Sequence, residues 1–196
     1  GFIGKFVWFL DDDMEEIPAN YLQKHLETIY SFNADVSCGI PDEIGTKYID
    51  RTIPKIELSD GFPTNDVFVK RNLLNEVGGF DEKMDQMQSE DQELGLRCFK
   101  SGALSIKNNQ LRIVHLRAQR GGLRKHNVRK ITFSSSRNNL FERRFLHQSE
   151  IYLNLKHFTK SKVKKYIRLN IRGTFIVRGN IIKKSAKIVL AIILLP

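Results

Sequence analysis

Short apolar runs alternate with segments of helical spacing along residues 6–116. The run Phe6–Leu10 is apolar throughout and stops at Asp11, which is typical of a central strand in an α/β sheet. After Pro18, which suits the first turn of a helix, apolar residues recur at positions 21, 22, 26, 29 and 30. Further strands are predicted over 34–40, 66–69, 103–107 and 112–116, further helices over 71–77 and 88–100, and a loop with short extended pieces over 42–64. Strands that alternate with helices predict an α/β fold.

The pattern changes after Gly122, where apolar residues are interleaved with many cations. Residues 162–195 predict one or more basic amphipathic helices. Such helices often lie on anionic membrane surfaces, although the same pattern fits helices packed on the domain with Lys and Arg in water. No run of eighteen apolar residues is present, so no complete membrane span is expected.

Charge divides the sequence more sharply than hydropathy does. Residues 1–111 carry a net charge of −9, whereas residues 112–196 carry +19. An acidic half can hold cations and a basic half attracts phosphate groups. The 41% of hydrophobic residues excludes wholesale disorder, and two cysteines exclude both a disulfide-stapled scaffold and a cysteine-only zinc site.

Three consecutive carboxylates, Asp11 to Asp13, follow the first predicted strand. Ligands of open α/β sheets bind beyond the carboxyl ends of strands. In an extended segment residues i and i+2 point the same way, so Asp11 and Asp13 could share a ligand while Asp12 turns elsewhere. Carboxylate oxygens suit Mg²⁺ or Mn²⁺, which in turn bind phosphate; the alternative is a solvated turn before the next helix.

A second acidic segment comes later in the chain. Residues 78–82 read Gly-Gly-Phe-Asp-Glu, and Glu90 and Asp91 fall at the start of the helix predicted over 88–100. The helix dipole stabilises negative charge there, and a carboxylate at a helix start can accept a proton from a hydroxyl group in a cleft. Ordinary placement of acidic residues at a helix N-terminus is the alternative.

Together these segments resemble the family 2 glycosyltransferases of the GT-A fold. The sequence from Phe9 to Met14 is similar to the DxD segment of that family, and residues 77–97 are similar to its GGFDE, ED and LxxR segment, in the same order. The resemblance covers residues 6–124. It implies a mixed sheet flanked by helices and an inverting transfer of sugar from a nucleotide-sugar donor to a hydroxyl acceptor, either a polysaccharide or a lipid-linked glycan.

The resemblance also assigns expected roles to individual residues. Asp11 and Asp13 would bind the metal, Mn²⁺ or Mg²⁺, together with the donor diphosphate. Asp91 would be the catalytic base, and Glu90, its neighbour, would shape the acceptor site. The expected substrate contacts are Asp12, Gly78, Gly79, Arg120 and Arg124; of these, Gly78 and Gly79 match the backbone turn beside the acceptor.

His115 ends the strand predicted over 112–116, where similar transferases carry a histidine that joins the metal or diphosphate shell. A buried histidine with satisfied hydrogen bonds is the alternative. The cations and paired glycines that follow it fit a loop that closes over diphosphate. The other histidines are expected at the surface (His25, His126, His147 and His157), and Asn65 and Asp66 are expected to touch substrate.

The resemblance predicts two regions. Residues 1–126 would form the C-terminal portion of a GT-A-like catalytic domain, and residues 127–196 a basic amphipathic helical region on an anionic membrane surface. The half of the fold that binds the nucleotide base has no counterpart before Phe6, so an N-terminally truncated chain is expected. The expected location is cytoplasmic, at the inner face of the cell membrane.

Two other functions fit parts of the pattern. A metal-dependent nuclease or nucleotidyltransferase would also use Asp clusters, and a basic second half would follow a phosphate backbone. No recognition motif for nucleic acid is present, so no nucleic-acid partner is expected. A non-catalytic membrane-surface module is the other alternative, with the basic region as its functional part.

Overall fold

The computed structural model describes residues 4–44, 49–85, 89–116, 146, 148–177 and 179–193. The chain forms two compact units, of which the first comprises residues 1–85 and 90–119 and the second residues 86–89 and 120–196. The described elements of the first unit are, in chain order, β1 (Phe6–Leu10), β2 (Met14–Glu15), α1 (Tyr21–Phe32), β3 (Val36–Cys38), β4 (Asp42–Glu43), β5 (Ile56–Leu58), β6 (Asp66–Lys70), α2 (Arg71–Val77), a 3₁₀ turn (Glu82–Met84), α3 (Glu90–Lys100), β7 (Ser105–Asn108) and β8 (Val114–His115).

Five strands form a mixed sheet in the order β1-β6-β3-β7-β5. The β3–β7 pair is parallel, and the other three pairs are antiparallel. The predicted α/β class and mixed sheet are therefore confirmed. The expectation that β1 is central is wrong for the described sheet, where β1 lies at an edge. An apolar run reports that both faces of a strand are covered, and it carries no information about its edges.

One face of this sheet packs against α2 and α3. Val7 and Phe9 of β1 lie on this face, because alternate residues of a strand point to the same side. They pack with the buried residues Leu73 of α2 and Leu94 and Cys98 of α3. This layer holds α3, which begins with Glu90 and Asp91, against the sheet.

The opposite face packs against α1. Here Trp8 and Phe68 of the sheet lie within ring-contact distance of His25, and Trp8 lies close to Tyr21. Tyr21, His25 and Ile29 of α1 are all buried, which is the spacing of one helix face. A helix on each face of the sheet completes a layered α/β architecture.

A second, three-stranded sheet has the order β2-β8-β4. Charged residues next to its strands hold it together: the Arg112 guanidinium donates to Asp42 at 2.6 Å and to Glu16 at 3.1 Å, and Arg51 donates to Asp42 at 2.7 Å. Burial by itself raises the pKa of Asp42, but the hydrogen bonds from Arg51 and Arg112 outweigh it and hold that pKa below its ordinary value. The sheet was not expected, because strands of two residues leave no periodic pattern.

The described part of the second unit is helical. It contains α4 (Gln148–His157), α5 (Lys160–Phe175) and α6 (Ile181–Ile193). The last two fall within the region predicted to form basic amphipathic helices, and that secondary structure is confirmed. Among the described residues no helix is both long enough and apolar enough to cross a membrane.

Candidate metal centre and second acidic site

Two carboxylates and an imidazole come together just beyond the end of β1. The ligand atoms of Asp11, Asp13 and His115 all lie within 4.8 Å of one another. Two ligands of one divalent ion are at most about 4.2 Å apart when each bond is about 2.1 Å, so small side-chain rotations would bring all three onto one ion. In the described ranges no other trio of Asp, Glu, His or Cys side chains has this spacing. Two carboxylate oxygens and one imidazole nitrogen form a donor set that suits Mn²⁺, and the oxygens also suit Mg²⁺.

The backbone fixes this arrangement through three separate segments. The Asp11 N–H donates to the carbonyl oxygen of Asn65 at 3.3 Å, which ties the end of β1 to the turn before β6. The Leu116 N–H donates to the carbonyl oxygen of Asp13 at 3.0 Å, and β2 pairs antiparallel with β8. Residues about 100 positions apart in the sequence therefore meet because the small sheet brings the end of β8 beside the acidic turn.

A carboxylate faces each side of the His115 ring. Its Nε2 lies 3.2 Å from Asp13 Oδ1, and its Nδ1 lies 3.9 Å from Glu43 Oε1. The residue is only 9% exposed, and Nδ1 is buried without a hydrogen-bond partner among the described residues. A buried ring nitrogen that faces a carboxylate from a neighbouring strand resembles the carboxylate–histidine pairs that orient metal ligands.

Glu43 was not predicted as a site residue. It lies in a segment expected to be a loop, and it approaches His115 because β4 pairs in parallel register with β8, with these two residues directly opposite. The register of two-residue strands depends on contacts distant in the sequence, so no local signal could have found this residue.

Other predicted contacts have different outcomes. Asp12 is exposed and does not belong to the trio, and its expected contact with the substrate stays a prediction. Arg120 and Arg124 lie outside the described residues.

The paired glycines end α2 and lead towards the acidic turn. Gly78 and Gly79 have φ values of 85° and 68°, in the left-handed region that favours glycine. Phe80 then contacts Phe9 of β1 with ring centroids 5.6 Å apart, in an edge-to-face arrangement. This contact places the Gly-Gly-Phe segment beside β1, two residues before Asp11.

Asp91 occupies the first turn of α3 in a partly buried position, next to Glu90. Burial raises the pKa of Asp91 above its ordinary value of 3.8, and this effect outweighs hydrogen bonds from backbone N–H groups, including that of Gln92 at 2.7 Å. A carboxylate that binds a proton more readily than usual is better suited to accept one from a hydroxyl group.

Two other residues of the segment over 77–97, Gly95 and Arg97, make structural contacts. The Arg97 guanidinium pairs with the fully buried Glu93 at 2.7 Å and also donates to the carbonyl oxygen of Val77, the last residue of α2. Gly95 packs directly on a loop, since a Cβ there would lie 2.8 Å from the Asp60 carbonyl oxygen. The Arg97 contact ties α3 to the end of α2, and the Gly95 contact places α3 directly against the loop at Asp60.

Two expectations on the α1 face are wrong. His25 is fully buried rather than at the surface: its Nδ1 lies 2.9 Å from Ser37 Oγ and its Nε2 lies 3.2 Å from Asp66 Oδ1. Asp66 is also fully buried and accepts hydrogen bonds from Tyr21 and Trp8, which excludes it from direct contact with substrate in this structure. The sequence did indicate that His25 is buried, because it lies four residues after Tyr21 on the same helix face.

The resemblance to family 2 glycosyltransferases depends on the segments over residues 9–14 and 77–97 alone. No protein-family profile matches the sequence, and no curated protein matches it. The class that the structure defines is a mixed α/β fold whose main sheet has helices on both faces, with an Asp-Asp-His cluster at the end of β1.

Proposed function

We propose that the protein is a metal-assisted, inverting glycosyltransferase with a GT-A-like catalytic domain. The observation that carries the proposal is the convergence of Asp11, Asp13 and His115 at the end of a sheet strand. It is supported by a second carboxylate, Asp91, whose burial favours proton uptake. Along the chain the Asp11–Asp13 segment precedes the Glu90–Asp91 segment, which is the order of the DxD and ED segments in family 2 glycosyltransferases.

In this proposal each acidic site has one task. Asp11, Asp13 and His115 hold Mn²⁺ or Mg²⁺, which when bound neutralises charge on the diphosphate of a nucleotide-sugar donor. Asp91 accepts the proton of the acceptor hydroxyl as that oxygen forms a bond to the anomeric carbon and the bond from this carbon to the diphosphate oxygen breaks. Glu90 shapes the acceptor site beside it. The acceptor is a growing polysaccharide or a lipid-linked glycan, and the reaction takes place in the cytoplasm at the membrane.

A donor-hydrolysis panel tests the proposal. The protein, together with any preceding sequence that its natural chain carries, is incubated with UDP-, GDP- and dTDP-sugars in the presence of Mn²⁺ or Mg²⁺. We expect metal-dependent release of one nucleoside diphosphate, lost in Asp13→Asn and retained in Asp60→Asn, which removes an exposed carboxylate outside the cluster. Circular dichroism confirms that each variant is folded.

The same samples separate the proposal from its main rival. Wild-type protein that binds Mn²⁺ but releases no nucleoside diphosphate from any donor contradicts sugar transfer. Metal-dependent cleavage of single- or double-stranded nucleic acid by such a sample would instead establish phosphodiester chemistry at the same cluster.

A further inference from the structure

The last described helix, α6, exposes the side that a soluble helix normally buries. Ile181, Ile182 and Ile193 are 80%, 78% and 69% exposed, and Ile188, Val189 and Ile192 are also exposed. At 100° per residue these six side chains fall on one continuous arc of roughly 140°. An amphipathic helix packed on its own domain would turn such an arc inward.

The cations of α6 lie on the other side of the helix. Lys183, Lys184 and Lys187 project from the arc opposite the exposed isoleucines, and Lys187 is only 3% exposed. The apolar arc is therefore exposed, while Lys187 on the charged arc is buried. This orientation calls for an apolar partner.

The charge of the region identifies the chemistry of that partner. Residues 160–193 contain ten Lys and Arg and no Asp or Glu. On α5 the exposed cations include Lys162, Lys164 and Lys165. A surface that combines exposed isoleucines with a strongly positive charge complements a layer that is apolar inside and anionic outside.

The length of α6 defines how it can meet such a layer. Thirteen residues extend about 20 Å as a helix, whereas the hydrocarbon core of a bilayer is about 30 Å thick. In the described part of the chain no helix meets the requirements for a membrane span. A short helix with one apolar side is suited to lie flat in the interface.

We propose that α6 lies in the plane of an anionic phospholipid surface. Its apolar arc enters the boundary between headgroups and acyl chains, and the exposed cations of α5 contact headgroup phosphates. The proposal rests on these two helices and is independent of the proposed sugar transfer. It names the element that would bring a transferase to a lipid-linked acceptor.

Vesicle co-sedimentation tests this proposal with the full chain. The vesicles contain either phosphatidylcholine alone or a 7:3 mixture of phosphatidylcholine and phosphatidylglycerol. We expect binding to the mixed vesicles, much weaker binding to the neutral ones, and about a tenfold or greater loss of partition for the double variant Ile182→Asn/Ile192→Asn. The matched control is Ile53→Asn/Leu58→Asn, which changes two residues of the first unit that are 75% and 77% exposed and should leave partition unchanged.

A charge variant tests the electrostatic part separately. Removing one lysine charge near an anionic surface lowers partition about fivefold, so Lys164→Gln/Lys165→Gln should reduce binding to mixed vesicles and leave binding to neutral vesicles unaltered. Equal binding of wild type and the α6 variant, or no binding of wild type, would overturn the proposal. Light scattering gives a further outcome that would overturn the proposal. If the wild type is a dimer that does not bind vesicles, and the α6 variant is a monomer, then a second copy of the chain covers the apolar arc. Donor hydrolysis by the α6 variant should match wild type, which distinguishes failure here from failure of the proposed function.

Discussion

The hydroxyl group of Tyr21 provides a direct test of how the α1 face is stabilised. Tyr21 is 1% exposed, and its hydroxyl donates to Oδ2 of the fully buried Asp66. Tyr21→Phe removes this donor without changing the shape of the ring. A hydrogen bond to a charged acceptor contributes about 1.5–3 kcal/mol, so the free energy of unfolding should fall by that amount.

Urea unfolding followed by tryptophan fluorescence measures this effect locally. The one tryptophan, Trp8, donates to Asp66 Oδ1 at 3.1 Å and therefore reports on the same cluster. The matched control is Tyr30→Phe, because Tyr30 is on the same helix but is 70% exposed. The control should change the free energy of unfolding by less than about 0.5 kcal/mol.

The alkaline pH dependence of stability gives a second measure of the same contact. Burial, followed by the charge of Asp66, raises the pKa of Tyr21 above its ordinary value of 10.0. The folded state then keeps a proton that the unfolded state loses, so this contribution is fully present below about pH 10 and is lost as the pH rises further. Tyr21→Phe should reduce that alkaline slope by up to about 1.4 kcal/mol per pH unit. A variant as stable as Tyr30→Phe, with an unchanged slope, would refute the assigned hydrogen bond.

Three further predictions concern the acidic sites. Glu43→Gln should weaken Mn²⁺ binding about tenfold or more, because the Glu43 carboxylate lies 3.9 Å from His115 Nδ1, where it would orient the ring of a metal-bound histidine; calorimetry that finds an unchanged affinity would remove Glu43 from this role. Asp91→Asn should lower turnover by about 10²-fold or more without loss of stability, since the raised pKa of Asp91 means that burial penalises its ionised form; a marked decrease in melting temperature would indicate a structural role instead. Gly95→Ala should destabilise the first unit by about 1–3 kcal/mol, because the added Cβ would meet the Asp60 carbonyl oxygen. A variant whose urea midpoint equals that of the wild type would contradict this close packing.

Elements with strong local signals were predicted well from the sequence. The bounds of α2 agree residue for residue, since its apolar spacing is followed at once by Gly78 and Gly79, which end the helix. The helix predicted over 88–100 is observed as Glu90–Lys100. Asp11 and Asp13 also approach each other, although residues 12 and 13 form a turn rather than the extended segment from which their approach was predicted.

Features that depend on distant contacts were not predictable in the same way. The small sheet pairs residues near position 14, position 43 and position 115, and each strand is too short to show a period. The approach of Glu43 to His115 is a consequence of this register alone. His25 is a different case, since its helical position indicated burial, but its partners Ser37 and Asp66 come from two separate strands.

The most direct test of the account is a Mn²⁺ titration followed by electron paramagnetic resonance. Wild-type protein should bind one Mn²⁺ at the cluster, with affinity reduced about tenfold or more in Asp13→Asn and in His115→Ala. Asp12→Asn is the matched control, because it removes the exposed carboxylate between the two proposed ligands and should leave the affinity unchanged. An equal loss of affinity in Asp12→Asn and Asp13→Asn would show a diffuse acidic surface and contradict a metal centre built from Asp11, Asp13 and His115.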